Sequence, residues 1–475
     1  MTRTKIICTI GPASHTKTII KRLIQSGMNA ARINFSHGSY KNNLQLIKTI
    51  RAEAKSLNTT IPIIQDVQGP RIRLGVLPSE GVEIKKNEVF SLTTHGAFAL
   101  KKNVKYVPIG YAHLPEIMHK GEAILVEDGA IALEVEKIAD GAISVKSRAN
   151  ARLYSHKGIN IPDTRFTRSV ITKKDKEDIL FGVSHHVEYI ALSFAQSHKD
   201  IQKLRAYIKK FLPRGAAAPK IIAKIERPRA VQNIEKIIKA SDAVMVARGD
   251  LGIETQAYKV PIIKKYIIDL CLARAKPVIV ATQMLDSMIR NSRPTRAEVS
   301  DVAAAVIDHA DALMLSGETA SGAYPVESCR MMRDIIAETE KSPYDDLRYV
   351  NLPKKPSLEE AIAHATRMIV KEANARAVIG IALTGTLSRM LSRFRPEVPI
   401  LIAVRNEREK REVMLSWGII PFETYNTIPQ EITGEIIAFI KKQKLAKKGE
   451  KIIILSESKK RAFQGGKFLI NLQSM

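Results

Sequence analysis

Short apolar runs alternate with amphipathic stretches along most of the chain, and this alternation predicts its architecture. The apolar runs predict strands at 6–10, 31–35, 61–65, 189–193, 220–225, 243–247, 278–281 and 312–315. The amphipathic stretches predict helices at 17–26, 43–55, 173–183, 199–211, 231–240, 261–275, 296–308 and 325–340. Strands that alternate with helices form a parallel sheet through right-handed crossovers. Because eight such units follow one another, we predict a closed (β/α)₈ TIM barrel rather than an open sheet.

Two segments depart from this alternation. Residues 70–162 contain short β-type runs punctuated by glycines and no long helical pattern, which indicates a small β domain inserted into a barrel loop. Further along, strands predicted at 377–383, 400–404 and 451–455 indicate a C-terminal α/β domain, which begins with a capping box of Ser357 and Glu360. The predicted domains are therefore 1–69 and 163–345 for the barrel, 70–162 for the insertion, and 346–475 for the C-terminal domain.

The charge of the chain limits its partners. Its 475 residues carry a formal net charge of +27, which predicts anionic partners such as phosphates, nucleic acid or a membrane surface. Three widely spaced cysteines argue against a disulfide framework or a zinc cluster and favour a reducing compartment. The sequence has neither a signal-peptide pattern nor an apolar run of the ~20 residues that a membrane helix needs. We therefore expect a soluble cytoplasmic protein without a membrane partner.

Polar residues follow most of the predicted barrel strands, where the active site of such a barrel gathers. Six of the eight strands contribute: Arg32, Asn34, Ser36 and His37 after the second, Asp66 after the third, Lys224 and Glu226 at the fifth, Arg248, Gly249 and Asp250 after the sixth, Thr282 and Gln283 after the seventh, and Ser316 and Glu318 after the eighth. Strand ends are turn sites, so one such residue means little. Their recurrence around the ring indicates a site.

The pair Lys224 and Glu226 indicates the chemistry. Alternation along a strand puts both side chains on one face, and a structural ion pair would explain them if they stood alone. Asp250 ends the adjacent strand, and two carboxylates from neighbouring strands suit Mg²⁺. The cations Lys224 and Arg32 would then stabilise a transferring phosphoryl group. We therefore predict phosphoryl transfer, without a Walker A loop or a kinase glycine-rich loop.

Long motifs in this chain resemble those of the pyruvate kinase family. They stand at 4–14 (TKIICTIGPAS), 27–38 (GMNAARINFSHG), 222–226 (IAKIE), 245–254 (MVARGDLGIE), 281–285 (ATQML) and 294–321 (PTRAEVSDVAAAVIDHADALMLSGETAS). The resemblance implies transfer of the phosphoryl group of phosphoenolpyruvate to ADP, giving pyruvate and ATP in the last step of glycolysis. It also implies that the insertion is a small β-barrel lid, that the C-terminal domain binds effectors, and that the chain forms a homotetramer.

The resemblance also implies residue roles. Lys224 would stabilise the transferring phosphoryl group, Arg32 would bind it, and Glu226 and Asp250 would hold one Mg²⁺. Thr282 would belong to the chain that delivers a proton to the enolate carbon. The implied substrate-binding residues are Arg32, Gly249, Asp250 and Thr282. A second Mg²⁺ would arrive with the nucleotide, whose implied positions are Asn34, His37, Arg73 and Lys174.

The segment after the third strand departs from the family pattern. Potassium-dependent members read DTKGPEIR there, whereas residues 66–73 of this chain read DVQGPRIR. The K⁺ ligands implied by the resemblance are all retained: Asn34, Ser36, Asp66 and the backbone carbonyl of Val67. However, Arg71 stands where the family has Glu, and its guanidinium could supply the positive charge itself. A surface arginine is the simpler alternative, but the accompanying change to Val67-Gln68 favours activity without K⁺.

The C-terminal domain departs further. Many family members bind a sugar phosphate there through two loops rich in glycine or hydroxyl groups. The corresponding residues here are Thr384, Thr386 and Ser388 in the first loop, and Lys459, Lys460 and Arg461 in the second. Hydroxyls and cations suit phosphate, whereas a solvated basic loop is the alternative. We expect a sugar phosphate or a nucleotide as effector.

Two other functions compete with this interpretation. A barrel lyase that acts on phosphoenolpyruvate would share the architecture but would not need ADP. An RNA-binding protein would use the positive charge, but aromatic residues make up only 5% of the chain, and Trp417 is its single tryptophan. Recognition of single-stranded RNA depends on aromatic stacking platforms. We therefore expect no specific nucleic-acid partner.

Overall fold

The computed structural model describes residues 2–94, 96–101, 103–139, 141–162, 164, 169–347, 355–381, 385–425, 429–457 and 468–475. Its largest unit is a closed barrel of parallel strands, as the alternation predicts. In chain order the barrel strands are Lys5–Ile10, Ala30–Asn34, Ile63–Val67, Tyr189–Leu192, Lys220–Ile225, Ala243–Ala247, Val278–Ala281 and Ala312–Leu315. The first strand pairs with the eighth, with Lys5 opposite Ala312, and this pairing closes the ring.

Alternate residues of each barrel strand pack on opposite sides of the sheet. Ile7, Ile64, Ile222 and Met245 belong to a cluster that is separate from the larger core on the other face. The strands are buried on both faces, which explains why they read as continuous apolar runs. This two-sided burial fixes the register, and the register decides which polar residues emerge at each strand end.

Helices surround the barrel where the amphipathic pattern predicts them, and two short helices that the pattern does not predict, Arg248–Glu254 and Gly317–Ala320, follow the sixth and eighth strands. They span Lys17–Ser26, Tyr40–Ser56, Lys173–Ser184, His198–Phe211, Pro228–Gln232, Ile234–Ala240, Arg248–Glu254, Val260–Ala273, Arg296–Ile307, Gly317–Ala320 and Pro325–Thr339. The single helix predicted at 231–240 is wrong in one respect, because the chain forms two short helices that meet at Asn233 (φ −101°, ψ 12°). The side chain of Asn233 donates hydrogen bonds to the carbonyls of Gln196 and Arg229, which holds the break in place.

The inserted segment folds around its own apolar core. Its strands are Ile72–Arg73, Val82–Ile84, Val89–Thr93, Ala99–Lys101, Val104–Pro108, Ala123–Val126, Ile131–Ala139, Ala142–Ser147, Ala151–Leu153 and Gly158–Asn160, with one short helix, Leu114–Ile117. Eight of the strands form one sheet, and Ala151–Leu153 pairs with Val82–Ile84 in a second. An isolated antiparallel bridge between Leu74 and Ile109 links the chain after Ile72–Arg73 to the chain after Val104–Pro108. The closure of the larger sheet into a small barrel stays a prediction.

The C-terminal segment forms a five-stranded sheet flanked by helices. Its strands are Val378–Ile381, Ile400–Val404, Ile419–Glu423, Lys451–Glu457 and Phe468–Ser474, and its helices are Leu358–Ala373, Gly385–Arg393, Glu407–Val413 and Pro429–Lys442. The predicted capping box of Ser357 and Glu360 is present. The sequence pattern did not predict the strands Ile419–Glu423 and Phe468–Ser474. Both are edge strands whose residues are only partly buried, so their apolar pattern is weak.

Contacts at the amino-terminal end of the barrel join it to this C-terminal sheet. Asp311 accepts a hydrogen bond from the Trp417 N–H (3.0 Å) and lies 3.3 Å from Arg395 Nη2. The ammonium of Lys5 donates to the carbonyl of Ile419 (2.7 Å). This joint therefore lies at the end of the barrel opposite the carboxyl ends of the strands. In the described part of the chain, no helix has the length and apolarity needed to cross a membrane.

Candidate active site

A cavity of about 810 Å³ opens at the carboxyl ends of the barrel strands. Every strand of the ring contributes a polar residue to its lining: Thr9, Arg32, Asp66, Ser193, Lys224, Asp250, Thr282 and Ser316. The six strands that the sequence pattern selected are all represented, together with the first and the fourth. This is where the active site of a (β/α)₈ barrel is expected.

Lys224 lies at the centre of the polar contacts in this cavity. Its Nζ is 2.8 Å from Glu226 Oε1, 2.8 Å from Ser193 Oγ and 3.3 Å from Asp66 Oδ1. Burial alone would lower the pKa of Lys224, but the carboxylates of Asp66 and Glu226 raise it above its ordinary value. The ammonium is therefore charged and is held by three oxygen atoms at the edge of the cavity.

Glu226 and Asp250 form the carboxylate pair that the sequence predicts. Glu226 is buried, and its Oε2 accepts a hydrogen bond from the Phe194 N–H (2.6 Å). Burial raises the pKa of Glu226, Lys224 opposes this, and the negative charge of Asp250 adds to it. Asp250 lies in the first turn of the helix Arg248–Glu254, and no described residue donates a hydrogen bond to its carboxylate. Two repelling carboxylates at one cavity fit a divalent cation of the Mg²⁺ type.

Arg32 is oriented from two sides. Its Nε lies 2.7 Å from Asp66 Oδ2, and its Nη1 donates to Thr9 Oγ1 (3.0 Å), which in turn donates to the Leu315 carbonyl (2.9 Å). Burial would raise the pKa of Asp66, but the charges of Lys224 and Arg32 lower it below its ordinary value. Asp66 is therefore ionised, and it connects the two cations that face the cavity.

A strained turn follows the seventh strand. Thr282 (φ +68°) and Gln283 (φ +53°) both adopt the left-handed region, which a β-branched residue such as threonine rarely occupies. Arg248 Nη2 donates to the carbonyls of Thr282 (2.7 Å) and Gln283 (3.2 Å) and so supports the turn. Thr282 Oγ1 accepts from the Gly249 N–H (2.7 Å) and donates to the Ala281 carbonyl (2.6 Å). The hydroxyl is thereby fixed at the cavity wall.

The structure brings most of the sequence-predicted site residues together. The cavity is lined by Arg32, Asn34, Ser36, His37, Asp66, Arg71, Lys224, Glu226, Asp250 and Thr282. A second cavity of about 290 Å³ lies between the barrel and the insertion and is lined by Arg73, together with Arg71 and Asp250. Lys174 lines neither of these two cavities. Its Nζ bonds the Phe35 carbonyl (2.8 Å) and Asp178 Oδ2 (2.6 Å) on the barrel wall.

Three residues of the site were missed by the sequence reasoning. Thr9 orients Arg32, Ser193 contacts Lys224, and the backbone of Phe194 (φ +56°) bonds Glu226. Thr9 and Ser193 stand at the ends of the first and fourth strands, the two strands to which the sequence analysis assigned no site residue. Because the other six strands each end in polar site residues, polar residues at these two ends could have been included. The backbone contact of Phe194 leaves no mark in the sequence.

Three of the four positions implied for a monovalent cation, Asn34, Asp66 and Val67, have partners among the described protein groups. Both oxygens of Asp66 face cations, as described above, and Ser193 Oγ donates to the Val67 carbonyl (2.8 Å). Asn34 Oδ1 accepts from the Ser36 N–H (3.1 Å). Arg71 has an exposed side chain at the rim of the cavity and forms no ion pair with a described residue. A guanidinium thus lines the same cavity as Asn34, Ser36 and Asp66.

The predicted effector loops are only partly described. Thr386 is exposed in the first turn of the helix Gly385–Arg393, and Arg389 Nη2 lies 3.4 Å from its hydroxyl. Ser388 is buried in the same helix, away from solvent. Thr384, Lys459, Lys460 and Arg461 lie outside the described residues.

Comparisons with known proteins agree with this geometry along the whole chain. A sequence model of the pyruvate kinase barrel domain matches residues 1–329, and one of the pyruvate kinase alpha/beta domain matches residues 360–465. The chain belongs to the pyruvate kinase family. Pyruvate kinases of Thermococcus litoralis and Clostridium perfringens are 38% and 37% identical to it, over 95% and 96% of this chain and 94% and 96% of theirs.

A solved structure supports the same assignment. The crystal structure of a pyruvate kinase from Cryptosporidium parvum superposes with a TM-score of 0.91 at 31% identity, covering 100% of this chain and 96% of that one. Family membership makes the chain a phosphotransferase with pyruvate kinase function, and pyruvate kinases generally use Mg²⁺. The predicted family and barrel fold are therefore confirmed.

Proposed function

We propose that this chain transfers the phosphoryl group of phosphoenolpyruvate to ADP through the residues of the barrel cavity, and that it does so without K⁺. The observation that carries the proposal is the position of Lys224, whose ammonium is held by Asp66, Ser193 and Glu226 at a cavity that Asp250 also lines. Phosphoryl transfer depends on positioning and on positive charge around the transferring group, and this cavity offers both.

Arg32 and Lys224 have different roles toward the phosphoryl group. Arg32, fixed by Asp66 and Thr9, binds the phosphate oxygens, and Lys224 stabilises the charge that they carry in the transition state. Glu226 and Asp250 would hold one Mg²⁺, which when bound neutralises charge between the substrate oxygens, and a second Mg²⁺ would accompany the nucleotide. The Ser193 hydroxyl accepts a hydrogen bond from Lys224, and the Phe194 N–H donates one to Glu226. These two bonds hold both side chains in place at the cavity.

The chain after the sixth strand would bind the substrate carboxylate, and the turn after the seventh strand would take part in proton transfer. The backbone around Gly249 and Asp250 begins a helix, and the amides at a helix start suit the carboxylate of the substrate. Thr282 belongs to the route by which a proton reaches the enolate carbon as pyruvate forms. Its fixed hydroxyl, bonded at both the donor and the acceptor side, supports this role.

The nucleotide binds between the barrel and the insertion, which closes over it as a lid. Asn34, His37 and Arg73 line the two cavities on that side and would contact the phosphates or the ribose of ADP. Lys174 would serve only after its ammonium leaves Asp178, so we assign it the least direct role of the four.

Arg71 supports activity without K⁺. In place of the family's glutamate it puts a guanidinium at the rim of the cavity, where a bound cation would otherwise contribute positive charge. Asp66 and Val67, two of the implied K⁺ ligands, already have partners in Arg32, Lys224 and Ser193. An additional cation therefore has few free ligands to bind.

Assembly and regulation complete the proposal. We infer a cytoplasmic homotetramer, as the family resemblance implies. Tyr258, Ile262 and Tyr266 are spaced four residues apart and are 75%, 74% and 47% exposed, so they offer an apolar surface that a subunit contact would bury. We also infer a phosphorylated effector in the C-terminal domain. Of the described effector positions, Thr386 is the accessible one. Ser388 is buried in the helix Gly385–Arg393 and would stabilise the loop without contacting the effector.

A stoichiometric assay tests the transfer itself. Purified protein is supplied with phosphoenolpyruvate and Mg²⁺, with and without ADP, and pyruvate and ATP are quantified in the same samples. We expect one ATP for each pyruvate and no pyruvate above background when ADP is omitted. Pyruvate formed at an equal rate without ADP would mean that the phosphoryl group passes to water, and it would contradict the proposed transfer to ADP.

A further inference from the structure

Three carboxylates converge at the joint between the barrel and the C-terminal domain. Oxygen atoms of Asp345, Asp346 and Glu397 all lie within 4.8 Å of one another. Asp345 is only 4% exposed, Glu397 is partly buried, and Asp346 faces solvent. The first barrel strand begins nearby at Lys5, so this cluster lies at the end of the barrel opposite the active-site cavity.

The guanidinium of Arg3 pairs with three acidic side chains at this joint. Arg3 places Nη1 2.5 Å from Glu397 Oε2, Nη2 3.3 Å from Asp345 Oδ2, and Nε 3.6 Å from Glu340 Oε2. It is the one cationic side chain within 4.0 Å of these carboxylates in the described part of the chain. Within that distance, Glu340, Asp345 and Glu397 thus share one positive charge, in a protein whose net charge is +27.

Buried oxygen atoms of the cluster have no hydrogen-bond donor. Among described residues, Asp345 Oδ1 and Glu397 Oε1 are buried without a hydrogen-bond partner. Buried carboxylate oxygens normally have partners, so this site lacks positive charge on the side away from Arg3.

We propose that Asp345, Asp346 and Glu397 bind a hard divalent cation, for which Ca²⁺ is the best fit. Ca²⁺ takes carboxylate oxygens at about 2.3–2.6 Å in irregular geometry, so oxygens up to about 5 Å apart can share one ion. Mg²⁺ fits less well because it usually retains several waters and uses one or two carboxylates. Asp346 provides access from solvent. The ion would tie the end of the barrel segment to the C-terminal domain, independently of the catalytic cavity.

Trp417 provides a probe of this site. The guanidinium carbon of Arg3 lies 5.2 Å from the centroid of the Trp417 ring, and the same guanidinium contacts the carboxylates. Tb³⁺ binds at Ca²⁺ sites and luminesces when a neighbouring excited tryptophan transfers energy to it. Because Trp417 is the only tryptophan, tryptophan-excited Tb³⁺ luminescence reports on this cluster.

The experiment titrates the full chain carrying Glu226→Gln and Asp250→Asn, which removes the carboxylates of the active site. We expect saturable luminescence from one Tb³⁺ per chain, displaced by Ca²⁺ at concentrations at least about tenfold lower than by Mg²⁺. Adding Asp345→Asn with Glu397→Gln should abolish it. Glu338→Gln serves as the matched control, since Glu338 is an exposed carboxylate that pairs only with Lys341 among described residues, and it should change nothing.

Two results would overturn the proposal. One is the absence of saturable Tb³⁺ binding together with no rise in Tm when Ca²⁺ is added, because the cluster would then bind no cation of this kind. The other is unchanged luminescence in the Asp345 and Glu397 variants. If the double variant does not fold, Asp346→Asn decides instead, since this exposed residue can be changed without disturbing the core. Its affinity for Tb³⁺ should fall at least tenfold, and an unchanged affinity contradicts the site.

Discussion

The ammonium of Lys224 and the carboxylate of Glu226 are 2.8 Å apart, two residues along one barrel strand. The strand alternation that puts both side chains on the same face also directs them to the cavity, which Asp250 lines from the helix that follows the next strand. A cation and a paired set of carboxylates therefore share one small volume. This relationship generates the chemistry that we propose, and it makes Lys224 the first residue to test.

Replacing Lys224 with methionine should lower kcat by about 10²–10³, because a charge that stabilises the transition state is lost. The KM for phosphoenolpyruvate should change much less, since Arg32 still binds the phosphate. Steady-state kinetics measure both constants. Lys220→Met is the matched control, because Lys220 starts the same strand, is partly exposed and pairs with Glu412. A Lys224→Met enzyme that keeps more than about a tenth of the wild-type kcat would contradict the assigned role.

Thr282 can be tested through proton transfer alone. Thr282→Ala should slow the exchange of the pyruvate methyl protons with D₂O, and it should lower kcat by more than tenfold. Thr282→Ser keeps the hydroxyl that bonds Gly249 and should restore most of both rates. Proton NMR of pyruvate follows the exchange without requiring phosphoryl transfer. Exchange at the wild-type rate in Thr282→Ala would show that the hydroxyl supports the turn but not the proton.

Much of this site could be predicted from the sequence, because the pattern of apolar and polar residues indicates where strands end and which side chains share a face. Lys224, Glu226, Asp250 and Thr282 follow from it directly. What the pattern could not give is contact across strands. Asp66 contacts both Arg32 and Lys224 because of the barrel register. The hydrogen bond from the Phe194 N–H to Glu226 depends on a left-handed φ at Phe194, which a phenylalanine in the sequence does not predict.

The fold shows the same division. The buried barrel strands read as apolar runs and were predicted within about two residues, whereas the edge strand Phe468–Ser474 was missed because it is largely exposed. The break at Asn233 was missed because side-chain bonds to neighbouring carbonyls, rather than a change in periodicity, cause it. The local pattern thus predicts strands that are buried on both faces, whereas exposed edge strands and helix breaks depend on tertiary contacts.

His309 should make the protein sensitive to acid. Burial and the charge of Arg395 lower the pKa of His309 to about 3, from an ordinary value of 6.5. The folded state therefore disfavours the protonated ring, so its stability is full above pH 6.5 and is lost as the pH falls below that value. His309→Asn should reduce the loss of Tm between pH 7 and pH 5, and asparagine tolerates the φ of +71° at this position.

Thermal unfolding at both pH values provides the measurement for His309→Asn. At pH 7 the variant and the wild type should differ little, since the ring is neutral in both the folded and the unfolded state. An equal loss of Tm in the two proteins between pH 7 and pH 5 would exclude His309 as the source of acid sensitivity.

Restoring the family's acidic residue should restore a need for K⁺. We expect Arg71→Glu to be poorly active in tetramethylammonium chloride and to gain at least about tenfold in kcat when K⁺ is supplied. Arg71→Lys keeps a positive charge and should remain active without K⁺. Steady-state assays of the two variants in both salts make the comparison. Equal responses to K⁺ in Arg71→Glu and Arg71→Lys would show that the charge at this position does not matter.

The most direct measurement concerns the unaltered enzyme. The rate of ADP-dependent pyruvate formation from phosphoenolpyruvate is compared in KCl and in tetramethylammonium chloride at equal ionic strength, with saturating Mg²⁺. Because Arg71 brings a guanidinium to the rim of the cavity and Asp66 is already paired with Arg32 and Lys224, we predict kcat/KM values that agree within about twofold. A fall of tenfold or more in the organic cation would contradict the account.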